Sequence, residues 1–418
     1  MLGEPRREIL HYNLVKSVVA AISLIFSEGE GGKLHYADSV VRTILKSNPK
    51  WGANDRKFIA HTVYEIVRWW RKLWNIYGIE STLVEPALWN LTGIHFAVSG
   101  YKLPDWKEFG QAHTIPLDKR IEEAEKIRKV RESVPDWLDE LGENELGERW
   151  DRELHCLNIQ APVVIRVNTL KATIGEVRDR LNGENVATTV IQSHPDALQL
   201  DVRKNIFQTK SFHEGLFEVQ DASSQEIAYF MNVKPGMRVI DACAGGGGKA
   251  LHLGAIMRNK GKIIALDLHE WKLNELHKRS ARAGVDIIET RTITSDKIIK
   301  RLEKSADALL LDVPCSGLGT LRRNPDIKWK LNPDALERIR NEQYQIINAY
   351  SGMVRPGGKL FYSTCSILPS ENEAVIEKFT GAHNDFRKTA EKRISPSDSG
   401  FDGFYVASLE RLNFSQRR

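Results

Sequence analysis

Hydrophobic positions follow two different periods along the chain, and the change of period divides it into three parts. Up to about residue 130, apolar side chains recur every three or four residues, as at Leu14, Val18 and Ile22. This spacing predicts amphipathic helices. A further helix is expected from Asn54, which can cap it, to Leu73. We therefore predict a helical domain over residues 1–130.

Residues 131–220 change to a mixed pattern of short strands and helix. Strands are expected at 163–167, 188–191 and 197–200, because these runs are rich in β-branched and other apolar residues. Residues 174–181 have helical spacing instead. A strand, a helix and two further strands in so short a stretch predict a small α+β module.

Residues 221–418 alternate between strand and helix, which is typical of a doubly wound parallel sheet. The predicted strands are 237–243, 262–268, 287–293, 307–313, 359–364 and 404–409. The predicted helices are 249–257, 270–283, 296–304, 333–353 and 371–379. The sequence Pro356-Gly357-Gly358 predicts a turn between the fourth of these helices and the strand that follows it.

Composition and charge narrow the class of protein. A chain of 418 residues is long enough for two or three domains, and its net charge of +5 permits a polyanionic partner without requiring one. Its four cysteines (Cys156, Cys243, Cys315 and Cys365) form no CxxC pair, so we expect no metal site and no disulfide framework. No apolar run approaches the roughly 18 residues of a membrane span. We expect a cytoplasmic monomer that uses no membrane.

Two cysteines stand directly beyond predicted buried strands. Cys315 follows the apolar run 308–311, and Cys365 follows 359–362. Ligands of a doubly wound sheet bind beyond the carboxyl ends of its strands, so both thiols are expected to face one site. A lone cysteine is more often a small buried residue of the core. The acid Asp312 beside Cys315 favours covalent catalysis instead.

A glycine-rich turn follows the first strand of the same sheet. Gly245, Gly247 and Ala250 fit the pattern G-x-G-x-x-A, and Asp267 ends the next strand, where an acid can bind ribose hydroxyls. These features fit a nicotinamide dehydrogenase and an S-adenosylmethionine enzyme equally well. A dehydrogenase has no evident use for two cysteines at the ends of strands.

Two long motifs carry a resemblance to a known family. Residues 312–329 (DVPCSGLGTLRRNPDIKW) and 363–373 (STCSILPSENE) are similar to the fourth and sixth motifs of the RsmB/NOP/NSUN family of RNA cytosine-5 methyltransferases. Shorter matches lie at 220–225 (QDASSQ), 166–168 (RVN) and 402–405 (DGFY). The helical part resembles, more weakly, the NusB-like domain of bacterial RsmB, through 54–58 (NDRKF) and 63–68 (VYEIVR).

The resemblance implies a fold, a cofactor and a substrate. The fold is the class I S-adenosylmethionine-dependent methyltransferase fold, α/β with a Rossmann-like doubly wound sheet over 221–418. A small α+β RNA-binding module and an N-terminal all-helical NusB-like domain precede it. The implied cofactor is S-adenosyl-L-methionine, and the implied substrate is a cytosine in RNA, 16S ribosomal RNA above all. Transfer RNA as the substrate, or a non-catalytic RNA-binding assembly factor, are the alternatives.

The resemblance also assigns roles to residues. The residues alone do not decide which thiol attacks; the family implies Cys365 as the nucleophile and Cys315 as an aid to release, with Asp312 contacting the base. The implied cofactor-binding residues are Cys243, Ala244, Gly245, Gly246, Gly247, Gly248, Lys249, Asp267, Asp296 and Asp312. Of these, Asp296 could equally be only a helix cap. The implied RNA-binding residues are Arg322, Arg323, Lys328 and Lys249.

The cofactor turn departs from the family pattern. The family has Ala-Pro-Gly-Gly-Lys-Thr where this chain has Gly245-Gly246-Gly247-Gly248-Lys249-Ala250. Additional glycine makes a loop more flexible before a ligand binds. Backbone access matters more here than a proline ring, so we expect cofactor binding to survive the change.

Overall fold

The computed structural model describes residues 9–32 and 34–413, and the chain divides into two compact units. The first unit comprises Met1–Ile159 together with Leu321–Pro333. The second comprises Gln160–Thr320 and Asp334–Arg418. The predicted helical domain ends earlier than the first unit does, and the prediction did not include its second segment.

The first unit is helical. Its helices up to residue 159 are α1 (Tyr12–Phe26), α2 (Ala37–Ser47), α3 (Ala53–Arg68), α4 (Trp70–Tyr77), α5 (Glu85–Val98), α6 (Leu117–Glu125), α7 (Arg128–Arg131), α8 (Asp136–Leu146) and α9 (Arg149–Asn158). The apolar positions that predicted helices form the core, as Val18, Ile22 and Ile59 are almost wholly buried. Helices α1, α3 and α5 pack together around them.

Helices α8 and α9 belong to this first unit because polar side chains tie them to α7. The guanidinium of Arg128 donates to Asp139 (Nε–Oδ1 2.9 Å), and the indole of Trp150 donates to the same carboxylate (2.9 Å). Asn158 donates to the carbonyl of Glu132 (2.8 Å). The pairing of Arg128 with Asp139 crosses the predicted boundary at residue 130. The boundary between the units lies near residue 159 instead.

The second unit begins with a four-stranded antiparallel sheet. Its elements are β1 (Val164–Val167), α10 (Ile174–Gly183), β2 (Thr188–Val190), β3 (Ala197–Leu200), α11 (Lys210–His213) and β4 (Phe217–Val219), and the strand order is β2-β3-β1-β4. Thr173 and Glu176 form a capping box at the start of α10, which fixes where this helix begins. The predicted strands are present. Strand β4, which is as short as β2, was not predicted.

A seven-stranded sheet forms the rest of the second unit. Its elements, given together with one helix of the first unit (α16), are α12 (Ala222–Met231), β5 (Arg238–Asp241), α13 (Gly248–Ile256), β6 (Lys262–Asp267), α14 (Glu270–Ala283), β7 (Ile288–Thr292), α15 (Asp296–Lys300), β8 (Ala306–Asp312), α16 (Ile327–Lys330), α17 (Pro333–Tyr350), β9 (Val354–Thr364), α18 (Glu373–Ala382), β10 (Phe386–Ile394), α19 (Pro396–Ser399) and β11 (Phe404–Arg411). The strand order is β10-β11-β9-β8-β5-β6-β7. Strands β5 to β9 pair in parallel, and β11 pairs antiparallel with both β9 and β10.

Two details of this sheet differ from the prediction. Strand β10 was not predicted, because its seven interior residues are exposed and mostly polar, as expected for an edge strand. The predicted turn at Pro356-Gly357-Gly358 lies inside β9. The pairing of β8 with β9 jumps there from Val354 to Lys359, and Gly357 has a φ of +74°. The turn residues form a bulge within a strand.

The segment Leu321–Pro333 folds into the first unit, and this changes the interpretation of its cations. Arg322 is 4% exposed and donates to the carbonyl of Cys156 (3.1 Å). Lys328 is 1% exposed and donates to the carbonyl of Arg68 (2.9 Å). Burial lowers the pKa of Lys328 well below its usual value.

The expected phosphate contacts of Arg322 and Lys328 stay predictions, and in this structure both side chains are engaged with backbone carbonyls. A side chain buried on backbone carbonyls is not available to a phosphate unless it leaves those partners. Arg323 is only half-buried, so its RNA contact stays a prediction. The sequence shows a cluster of cations but does not show which carbonyls they meet.

Candidate functional site

Several of the predicted catalytic and cofactor residues lie at the carboxyl edge of the parallel strands. The glycine turn follows β5, Asp267 ends β6, and Asp312 ends β8. Cys365 follows directly after β9. The chain continues from β5 to β6 and β7 on one side of the sheet and returns to β8 on the other side of β5. Ligands of doubly wound sheets bind at such a switch in strand order, here between β5 and β8.

The two thiols are neighbours. The sulfur atoms of Cys315 and Cys365 lie 3.2 Å apart, and both cysteines are free and half-buried. The hydrogen bond with Cys365, together with burial, raises the pKa of the Cys315 thiol well above its usual value. Cys315 therefore stays protonated at neutral pH. Two sulfurs at this separation can both reach one small ligand.

Lys249 supplies the positive charge of the site. Its ammonium group donates to Asp312 (Nζ–Oδ2 2.6 Å) and lies 5.2 Å from the ring centre of Phe404. Burial alone would lower the pKa of Lys249, but the carboxylate of Asp312 and the sulfur of Cys365 outweigh burial and raise it. The lysine remains charged and acts electrostatically on Cys365.

Two acids lie beneath the glycine turn. Asp267 accepts hydrogen bonds from the backbone N–H groups of Gly245 (2.9 Å) and His269 (2.8 Å), so it fixes the turn against β6. Asp241 is buried, and burial, followed by the charge of Asp312, raises its pKa to about 7. Within the described residues, its Oδ1 atom has no hydrogen-bond partner.

The glycine turn is held by two arginines. The guanidinium of Arg279 donates to the carbonyl of Gly246 (2.6 Å), and Arg166 donates to the carbonyl of Gly248 (2.7 Å). Arg279 also pairs with Glu218 of β4 (3.0 Å). The role of Arg279 was missed because it lies in a helix without a motif. The match at 166–168 could have pointed to Arg166.

Gly247 requires a glycine for two reasons. Its φ is +79°, in the left-handed region, and a Cβ added there would lie 2.0 Å from Cδ1 of Leu276. Side chains other than glycine avoid that backbone conformation. Helix α13 begins at the next residue, so its first N–H groups border the turn.

Tyr350, the last residue of α17, lies within electrostatic range of three predicted site residues, and the sequence did not point to it. Burial raises its pKa to about 12, with smaller contributions from Cys243, Asp296 and Asp267. These three predicted residues therefore act on one phenol. Asp296 is exposed at the start of α15, whereas Cys243 is held by its backbone N–H, which donates to Asp241.

The charges of this site fit a cationic ligand. The carboxylates of Asp241, Asp267 and Asp312 surround the turn, and Lys249 is paired with one of them. The sulfonium and ammonium groups of S-adenosylmethionine are attracted by such a site, whereas the diphosphate of a dinucleotide is repelled. The residues present therefore fit the methyl donor.

Two further properties concern metals and membranes. Among residues 9–32 and 34–413, no group of three or more His, Cys, Asp or Glu side chains could hold a metal ion. None of the helices in this part of the chain has both the length and the apolar character that crossing a bilayer requires.

Comparisons with known proteins place these features in a wider context. A family model described as 16S rRNA methyltransferase RsmB/F matches residues 228–410, and a ferredoxin-like domain of RsmF/B-like methyltransferases matches 134–206. The probable ribosomal RNA small subunit methyltransferase B of Synechocystis sp. is 36% identical over 313 residues, which are 70% of each chain.

Two solved structures also resemble this chain. The crystal structure of the protein PH0851 superposes with a TM-score of 0.81 at 25% identity, over 97% of this chain and 100% of that chain. A methyltransferase homologue from Pyrococcus horikoshii has a TM-score of 0.61 at 27% identity, over 68% of this chain and 98% of that chain. These likenesses confirm the predicted class I methyltransferase fold with its α+β module, and the helical N-terminal region fits the NusB-like type.

Proposed function

Because the chain belongs to the RsmB/F family of ribosomal RNA methyltransferases, we propose that it methylates carbon 5 of a cytosine in 16S ribosomal RNA. The proposal includes S-adenosyl-L-methionine as the methyl donor and a transient covalent bond between Cys365 and the base. An RNA methyltransferase is what the family establishes. The position on the base, the covalent step and the particular RNA are the parts that need a test.

The residues of the site suit this chemistry. Carbon 5 of cytosine is a weak nucleophile until a thiolate adds to carbon 6, which forms a bond between sulfur and carbon 6 and pushes the electrons of the C5=C6 double bond into the ring. Cys365 makes this bond, and Asp312 contacts the base near ring nitrogen 3, where an acid is needed as charge develops. S-adenosylmethionine supplies the methyl group when it is bound. A base then takes the proton from carbon 5, the C5=C6 double bond forms again, and Cys365 leaves carbon 6 as a thiolate; Cys315 assists this release.

One observation carries the proposal: the two sulfurs lie 3.2 Å apart and differ in their electrostatic surroundings. The ammonium of Lys249 acts electrostatically on the sulfur of Cys365. Cys315 has a raised pKa and stays a thiol. A nucleophile and a proton-carrying neighbour are what addition and release require. A protein that only binds RNA would need neither.

The experiment compares three cysteine variants with unmethylated 16S ribosomal RNA and radiolabelled methyl donor. Cys365→Ala should abolish methylation and leave no covalent adduct. Cys315→Ala should accumulate a denaturant-resistant protein–RNA adduct, because release is slowed. Cys156→Ala, in helix α9, is the control and should behave as the wild type. Equal amounts of adduct in the first two variants would overturn the assigned roles.

The substrate needs a separate test. Bisulfite sequencing of total RNA from cells lacking the protein should reveal a cytosine in 16S ribosomal RNA that has lost its methyl group. Loss of the mark from a transfer RNA, with 16S ribosomal RNA unchanged, would contradict the proposed substrate. A target base must be unstacked to expose carbon 6, so the cytosine is expected in single-stranded or flipped RNA.

A further inference from the structure

A buried glutamate joins the two cysteine loops. Glu371 stands in a short turn between β9 and α18, and its side chain is 0% exposed. Its Oε1 atom accepts hydrogen bonds from the backbone N–H of Ser316 (2.8 Å) and from the amide of Gln343 (3.0 Å). Its Oε2 atom accepts from the hydroxyls of Ser316 (2.5 Å) and Ser366.

The positions of these donors relate the glutamate to the thiols. Ser316 directly follows Cys315, and Ser366 directly follows Cys365. One carboxylate therefore accepts hydrogen bonds from the residue that directly follows the cysteine in each of the two loops. Gln343 extends the link, since its amide also donates to the carbonyl of Pro314, on the other side of Cys315 (3.0 Å).

The charge state of Glu371 follows from its partners. All four partners donate, and an ionised carboxylate is the form that accepts at both oxygens. A buried carboxylate with four donors is also well compensated for its loss of water. Its charge reaches Cys315, where it is one of the groups that raise the pKa of the thiol, after Cys365 and burial.

We propose that Glu371 is a positioning residue for the methyl-transfer reaction, which fixes the two cysteine loops relative to each other so that both sulfurs address the same base. This inference rests on the proposed function. It goes beyond it by assigning the spacing of the thiols to one buried carboxylate. Glu371 touches neither sulfur directly, so its effect passes through Ser316 and Ser366.

The test uses Glu371→Gln, which keeps the shape of the side chain but turns an NH₂ group toward donors. The first measurement is steady-state kinetics with 16S ribosomal RNA and S-adenosylmethionine. We expect kcat to fall about 10²-fold, as misplacement by about 1 Å can cost that much. Both KM values should stay within about twofold, since binding groups are unchanged. If Glu371 only stabilised the fold, the variant would yield less folded enzyme. The folded fraction would then keep the wild-type kcat as well as the wild-type KM values.

The second measurement reports geometry without the reaction. Diamide takes two electrons and two protons from a pair of thiols, which become a disulfide while the diazene becomes a hydrazine. Cys315 and Cys365 should couple rapidly in the wild type, and at least about 10-fold more slowly in Glu371→Gln. Mass spectrometry of the joined peptides measures the rate.

The matched control is Glu373→Gln, two residues further on. Glu373 is also buried, but it pairs with Arg393 and not with the cysteine loops. It should retain wild-type kcat and coupling rate. If Glu371→Gln does not fold, the double variant Ser316→Ala with Ser366→Ala removes both hydroxyl donors and replaces it in both measurements.

The outcomes separate the two proposals. Wild-type kcat and coupling rate in the folded Glu371 variant, or in the double serine variant if it is needed, would overturn the positioning role, as would an equal loss in the Glu373 control. A wild type that couples its thiols but neither methylates RNA nor forms an adduct would overturn the proposed function. The difference in coupling rate would still decide the role of Glu371.

Discussion

The cofactor turn and the two cysteine loops border the same site but are held by opposite charges. The turn is fixed by cations, since Arg279 and Arg166 donate to the carbonyls of Gly246 and Gly248. The cysteine loops are fixed by an anion, since Glu371 accepts from backbone and hydroxyl donors beside both thiols. Each anchor engages groups that the proposed chemistry does not use. The sulfurs and the N–H groups of the turn are left for ligands.

The difference teaches how much each loop depends on its anchors. The cysteine loops continue from buried strands and contain few glycines, so their backbone is already restrained. The turn contains four consecutive glycines and lacks the proline of the family pattern, so its backbone has more freedom to lose. External anchors should therefore matter more to cofactor binding than the sequence of the turn suggests.

The largest effect on the glycine turn is expected from Gly247→Ala. The new Cβ would meet Leu276 at 2.0 Å in a left-handed backbone, so we expect a loss of about 3 kcal/mol in the free energy of unfolding. The affinity for the cofactor should also fall at least about 10-fold, which corresponds to about 1.4 kcal/mol of binding free energy. Urea unfolding and calorimetric titration measure the two effects. Gly183→Ala, at the end of α10 with open space around it, should not destabilise the protein.

Unfolding measured at a series of pH values tests a second difference between the two regions. The glycine turn has the buried acid Asp241 near it, and the cysteine loops have Glu371. Glu371 has four donors, whereas Oδ1 of Asp241 has no hydrogen-bond partner in the described part of the chain, and Asp241 has a pKa of about 7 in the folded protein, above its ordinary 3.8. The folded protein therefore favours the protonated form of Asp241. The resulting contribution to the free energy of unfolding is complete below about pH 4 and is lost as the pH rises to about 7.

The variant Asp241→Asn mimics the protonated acid. Between pH 5 and pH 8, the wild type should lose about 2 kcal/mol of unfolding free energy relative to this variant, measured by urea unfolding without cofactor. The exposed Asp179→Asn serves as the control. Parallel pH curves for the wild type and Asp241→Asn would contradict the raised pKa.

Arg279→Met isolates one anchor of the turn. The dissociation constant of S-adenosylmethionine should rise about tenfold, because a hydrogen bond from a charged group contributes about 1.5 kcal/mol or more. Arg282→Met is the matched control: Arg282 also pairs with Glu218 but is not the arginine that donates to the turn. Calorimetry should find its affinity unchanged. Equal weakening by both variants would mean that Glu218, rather than the carbonyl contact, sets the affinity.

The smallest effect is expected from Gly246→Ala, next to the position of the largest. Here the added Cβ would meet only the end of the Arg279 side chain, at 3.2 Å, and the backbone is not left-handed. Unfolding free energy should change by less than about 1 kcal/mol. Thermal unfolding measures it. A loss as large as that of Gly247→Ala would show that the turn tolerates no side chain at either position.

The sequence predicted the parts of the fold that depend on local pattern. All six expected strands of the large sheet form. The apolar runs of β5, β6, β8, β9 and β11 are buried, and the two cysteines meet because both follow parallel strands. Strand β10 was missed because an edge strand has exposed polar residues. The burial of Arg322 on the carbonyl of Cys156 was not predicted, because that carbonyl lies 166 residues away. No local pattern encodes a partner at that distance.

The return of Leu321–Pro333 to the helical unit has a consequence for engineering. Chimeras between relatives are usually made by exchanging continuous fragments at one junction. A junction near residue 159 would leave the helical unit without the segment whose Lys328 and Trp329 bond to the carbonyls of Arg68 and Val67. Exchanging this unit therefore requires two fragments, and the second one starts only six residues after Cys315.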